Sequence, residues 1–170
     1  MKFLKTSISL FIIFVCLSNI SYGAEVVSFI NVDKILNESN IGKNTLKKIN
    51  ELNNKNLKEL KKEEEELKKI EIEIRNKKNV ISENELANEI DSFKKKVKDL
   101  NDKKNIMVKD FNIYKKNELD NFFKKVSSIV QNYMDENSIE IIVDSKYVFM
   151  GKISSDITDK IITEINNKLK

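Results

Sequence analysis

The fold turns on SIEIIVDSKYVFMGKISSDIT, residues 138–158, a short apolar stretch closing a long tract rich in lysine, glutamate and asparagine. Ile139 to Val143 is a β-branched run bounded by turn formers and predicts a strand. Asp144-Ser145-Lys146 predicts a turn, and Tyr147 to Met150 the second strand of a hairpin. Alternation along the first of these strands sets Ile139, Ile141 and Val143 on one face. Ser155 or Asp156 is placed to cap a last helix whose Ile157, Ile161, Ile162, Ile165 and Leu169 form one apolar face. The other strand candidate is VVSFINV, Val26 to Val32, after which Asp33 is placed to cap a short helix ending by Gly42. If the two strand regions pair, they staple together whatever lies between them.

What lies between reads as helix. The chain has no proline, its only glycines beyond Gly23 are Gly42 and Gly151, and 34% of its residues are charged. Leu46, Ile49, Leu52, Leu57, Leu60, Leu67, Ile70 and Ile74 mostly follow three- and four-residue steps, with Asn53, Asn56 and Glu64 interrupting the stripe. Asn76 and Asn79 then weaken the pattern, and Ser82-Glu83-Asn84-Glu85 is a capping box that starts a second helix. There Leu86, Ile90, Phe93, Val97, Leu100, Lys104, Met107, Phe111 and Tyr114 alternate steps of four and three as a coiled-coil seam requires, with Lys104 the polar member. Phe122, Val126, Ile129 and Tyr133 continue on a face shifted by about one residue. Two helices with facing apolar stripes and a short polar turn predict an antiparallel hairpin over residues 43–137, with its tip near 76–82. Residues 24–42 and 138–170 form the body. The predicted fold class is mainly α with a small β body: a long antiparallel helical-hairpin (coiled-coil) arm inserted between strand 1 and a C-terminal β-hairpin plus helix.

Residues 1–23 stand apart. Lys2 and Lys5 make a positive start, Ile8 to Leu17 an apolar core too short to span a bilayer, and Ser21-Tyr22-Gly23 a small-residue exit, the pattern of a secretory signal. Cleavage between Gly23 and Ala24 puts small side chains at both positions that want them. The bulky Phe14-Val15 before Cys16 argues against lipidation. Export removes the single cysteine, and the chain has no histidine, so disulfides, thiol nucleophiles, Ser-His-Asp triads and nearly all zinc sites are excluded. No enzyme, no cofactor and no metal is expected. Losing Lys2 and Lys5 lowers the formal charge from +4 to +2, too even a balance to predict a nucleic-acid partner.

The remaining charged clusters have ordinary explanations. Glu63 to Glu66 are consecutive and point around a helix, so they cannot gather calcium's oxygen ligands. Asp33, Asp144 and Asp156 each stand where a cap or turn wants aspartate. Arg75, Lys77 and Lys78 at the arm tip are candidates for weak contact with an anionic membrane surface. Ile113 and Phe123 lie off the seam and are candidates for contact with a client protein. In the body, Val27, Phe29, Ile139, Ile141, Val143 and Val148 are the candidates for contact between subunits, because so small a sheet is marginal alone and has edges to cover.

The strand VVSFINV, the ending SIEIIVDSKYVFMGKISSDIT and the amphipathic DKIITEINNKLK resemble the Skp/OmpH periplasmic chaperones of Gram-negative bacteria. The order strand, helical hairpin, two strands, helix covers essentially the whole mature chain, and IIVD and SSDIT are its most specific parts. The resemblance implies a Skp-like homotrimer with a central β body and three arms around a cavity. It implies an ATP-independent holdase that encloses unfolded outer-membrane β-barrel proteins in the periplasm. It supplies no catalytic residues, and no lipopolysaccharide-binding cluster maps onto these lysines. The alternative reading from another class is a structural coiled-coil envelope protein without a client. A prefoldin-like arrangement is excluded, because its strands lie between the helices rather than flanking them.

Overall fold

In the computed structural model, which describes residues 26–169, the chain runs β1 (Val27–Ile30), α1 (Val32–Glu38), α2 (Asn40–Lys77), α3 (Glu83–Glu136), β2 (Ile141–Asp144) and α4 (Thr158–Lys168). Short 3₁₀ turns occupy Ser145–Tyr147 and Ile153–Ser155. The expected signal segment, with its Gly23/Ala24 junction, lies outside the described residues. The 38 residues of α2 and the 54 of α3 reach about 57 Å and 81 Å at 1.5 Å per residue. They pack as an antiparallel hairpin closed by the turn after Lys77, and Ser82 caps α3 through the predicted capping box with Glu85.

β1 and β2 pair in parallel, Val27 with Ile141 through Ile30 with Asp144. On its other side β1 holds the segment entering α4: its Phe29 carbonyl accepts from Ile157 N–H at 3.1 Å, and the Asn31 N–H donates to Thr158 Oγ1 at 2.9 Å. The strand that opens the chain is therefore the central one. Ile30, Ile35, Phe122, Val126, Ile129, Ile139, Ile157, Ile161 and Ile165 form the core beneath it. Ile161 and Ile165 are wholly inaccessible, each worth about 2–3 kcal/mol of transfer free energy. A 2.7 Å ion pair from Lys34 to Asp159 and a 2.8 Å hydrogen bond from Asn40 N–H to Asn166 Oδ1 tie α1 and the start of α2 to α4.

Three sequence expectations need correction. The predicted C-terminal β-hairpin has one strand: Tyr147 to Met150 leave the sheet, because the Asp144 carboxylate accepts from the Lys146 N–H and coils the chain into a 3₁₀ turn. Asn31, not Asp33, caps α1, its Oδ1 accepting from Lys34 N–H at 2.8 Å. Ile139 does not share a face with Ile141 and Val143. It precedes β2, its N–H bonds back to Met134 O at 3.0 Å, and that turn buries it in the core.

Candidate functional site

The sheet has two unlike faces. Ser28 and Ile30 of β1 are buried, and Ile142 of β2 packs against the core. Alternation sends Val27, Phe29, Ile141 and Val143 to the other face, where the register sets Val27 against Ile141 and Phe29 against Val143. Val27 and Ile141 are exposed, Ile141 by 47%, while Phe29 and Val143 are half-buried. The Phe29 ring lies on the backbone of Gly151, so close that a Cβ there would stand 2.8 Å from its Cε1. The segment carrying Gly151 is largely uncovered: Tyr147 and Met150 are exposed, Phe149 is 99% exposed and Ile153 93%, while Val148 is half-buried. Apolar side chains so fully hydrated contribute nothing to the core of this chain.

Along the arm the half-buried positions of α3 step from Leu100 to Lys103, Met107, Phe111, Tyr114 and Glu118 before reaching buried Phe122. The seam thus takes Lys103 where regular alternation predicted Lys104, which is exposed. The reason lies across the hairpin: Lys103 Nζ bonds Glu59 Oε1 at 2.5 Å and also pairs with Glu63. Those hydrogen bonds raise the Lys103 pKa and lower that of Glu59. Glu118 likewise fills a seam position, 3.7 Å from Lys48. The shift of face expected before Phe122 is therefore not a break. It is a polar seam residue, invisible when only apolar residues are counted.

The arm leaves other apolar side chains outside the seam. Ile113 and Phe123 are exposed, Phe123 with its ring T-shaped against Phe122 at 5.1 Å. Leu57, expected in the stripe, is exposed, and so are Ile106 and Val108, which sequence reasoning passed over. Their signal was a one-residue offset on either side of Met107. At the tip, Arg75 pairs with Glu71 at 3.0 Å and Lys77 with Glu89 at 2.9 Å, the latter clasping the two helices. Lys78 has no ion pair among the described residues, and its neighbour Val80 is exposed.

At the arm root a cleft of about 450 Å³ lies between the start of α2 and the Glu118–Lys125 stretch of α3, with Leu169 at one side. Its lining mixes asparagines, lysines and a glutamate with Ile41 and Phe122, and it gathers no catalytic constellation. Among the described residues no group of three or more His, Cys, Asp or Glu is placed to hold a metal ion. No described helix is long and apolar enough to cross a membrane. The arrangement is built for contact, with an uncovered apolar face at the body and scattered apolar side chains along a charged arm.

Comparison with known proteins agrees with this geometry. No curated protein matches the sequence. Among solved structures, the chain is similar to a candidate outer membrane chaperone (OmpH-like) from Caulobacter crescentus CB15, with a TM-score of 0.79 over 87% of this chain and 88% of that one, at 16% identity. Such identity speaks for the fold alone. The family model for outer membrane protein (OmpH-like) matches residues 26–165, from the first described residue into α4. The chain belongs to the outer membrane protein (OmpH-like) family.

Proposed function

We propose that the mature chain, released by cleavage after Gly23, is an ATP-independent periplasmic holdase that works as a homotrimer and keeps unfolded outer-membrane β-barrel proteins from aggregating. The observation that carries this reading is where the exposed apolar side chains lie. One group, Val27, Ile141, Phe149 and Ile153, gathers at the body. The other, Leu57, Ile106, Val108, Ile113 and Phe123, is scattered along the arm. The body group has the continuity of a subunit interface, and copies of the chain meeting there cover the sheet face and its edges. Val148, beside Phe149, joins that interface.

The arm group has the opposite character. Its residues are separated by charged turns, so each offers an unfolded chain a contact of about a kcal/mol or less. Such contacts add only because several arms are tethered around one space. A barrel strand alternates apolar and polar residues and presents many such weak sites. Nothing in this cycle needs a nucleotide, since release follows when the client finds a better partner. At the tip, Arg75 and Lys77 are already paired, which leaves Lys78 for no more than weak contact with an anionic membrane surface.

The test dilutes a urea-unfolded outer-membrane barrel protein into the purified mature chain without ATP, following light scattering, with native mass spectrometry in parallel. A trimer that suppresses scattering at stoichiometric concentration supports the proposal. A monomer, or a trimer that leaves scattering unchanged, rejects it and favours a structural envelope role.

A further inference from the structure

The exposed apolar residues along the two arm helices fall on two flanks: Ile106 and Ile113 stand one residue before the seam positions Met107 and Tyr114. Leu57, Val108 and Phe123 each stand one residue after a seam position, following Asn56, Met107 and Phe122. One residue advances a helix by about 100°. In an antiparallel pair, the flanks that follow the seam on both helices fall on the same side of the plane containing the two axes. One edge of the arm therefore collects Leu57 from α2 with Val108 and Phe123 from α3, together with half-buried Leu60 and Leu119, which follow Glu59 and Glu118.

Charge divides the same way. On α3 the flank following the seam carries Lys98, Lys104 and Lys115, after Val97, Lys103 and Tyr114, and none of the three has an ion pair among the described residues. The flank preceding the seam carries Asp99, Asp102 and Asp110 together with Lys96. Those aspartates share their edge with Lys55, Lys58 and Lys62 of α2, which precede the seam there, so that edge is self-neutralising. The edge with Leu57, Val108 and Phe123 also carries Glu64, Glu71 and Asp91, but Glu71 pairs with Arg75 and Asp91 with Lys94, so it remains apolar and cationic, with lysines left over for a partner.

We infer that this edge is the client-contact edge of the arm, and that it selects unfolded segments in which apolar side chains are interspersed with carboxylates. The inference rests on the holdase reading and goes beyond it by naming the face and the client chemistry. The edge does not suit a third helix or a second arm. A lasting helical contact needs an unbroken apolar seam at three- and four-residue steps, whereas here Asn112 and Lys115 separate Val108 from Leu119. An extended chain needs only separate footholds, and its carboxylates meet Lys98, Lys104 and Lys115.

The experiment places a photo-crosslinking amino acid in the otherwise intact mature protein, at position 57 or 108 in one set and at 106 or 113 in the other. Each protein is irradiated with a urea-diluted barrel protein. Crosslinks from 57 and 108 at least fivefold more frequent than from 106 and 113 are expected; equal yields, or the reverse order, overturn the assignment. A second arm uses Lys98→Gln/Lys104→Gln/Lys115→Gln, solvent-facing changes that leave the seam intact. This variant is expected to bind an acidic, apolar-rich unfolded peptide at least tenfold more weakly, while a neutral peptide of the same apolar content loses less than twofold. Equal losses for both peptides overturn the charge selectivity. Failure of the unsubstituted protein to suppress aggregation instead rejects the holdase reading, so the two failures are told apart.

Discussion

Ser138 adopts φ 53°, the only non-glycine residue among those described with positive φ. It ends α3: the Ile139 N–H returns to Met134 O and the Asn137 N–H to Tyr133 O, and the residue between takes the left-handed turn that glycine usually fills. Replacing Ser138 with glycine is expected to raise stability by about 0.5–1 kcal/mol, since the backbone conformation then carries no side-chain strain. Urea unfolding followed by circular dichroism measures this, and an unchanged or lower midpoint contradicts it. Gly42 is the converse case. It reads as a helix stop in the sequence, yet it sits buried in the first turn of α2, where a Cβ would approach the Leu36 carbonyl oxygen to 2.1 Å. Gly42→Ala should cost about 1–3 kcal/mol in the same assay, because the turn between α1 and α2 has to open. A glycine needed for close approach and a glycine that ends a helix look alike in a sequence. Their difference lies in a neighbour that only the fold brings near.

At the scale of the helices, the hairpin was legible because apolar spacing and the Ser82 capping box both declare themselves locally. The middle of the arm was not, because Lys103, Glu59 and Glu63 carry no apolar signature and are defined by partners on the opposite helix. This ionic layer is half-exposed, so Lys103→Met should lower the unfolding midpoint only modestly. Replacing all three residues with leucine should raise it above the unsubstituted protein, because an apolar layer has no charge to desolvate. A triple variant less stable than the single one contradicts this account. Acid should also loosen the layer. Lys103 holds the Glu59 carboxyl below its ordinary value, so the stabilisation is complete above the unfolded carboxylate range and is lost as pH falls through the folded value. The paired lysine is raised, so its share is complete below the unfolded lysine range and is lost only as pH rises through its own folded value. Thermal unfolding should therefore be flat through neutral pH and fall below about pH 4, with a shallower fall in Lys103→Met. An acid slope unchanged by that substitution would assign the effect to other carboxylates, such as the capping Glu85.

For the whole molecule, the two ends of the chain were recognisable as strand formers, but the hairpin predicted after Asp144 was not formed. The β-propensity of Tyr147, Val148 and Phe149 finds no neighbouring strand within one protomer, and the Asp144–Lys146 turn wins locally. Their exposure makes a sharp test of self-association. Phe149→Ser/Ile153→Ser removes nothing from the protomer's core, so helical content should be unchanged while the sedimentation coefficient falls to that of a monomer. Retention of the assembly would place the interface elsewhere, on the Val27–Ile141 face. The parallel pairing of Val27 with Ile141 also has a consequence in time. Between the first strand and its partner the chain has to build both arm helices. Joining such distant segments directly carries a heavy loop-closure cost, but zippering the helices from the Ser82 turn downward brings the strands together a few residues at a time. The arm thus guides the assembly of the body, which is the last part of the fold to be completed.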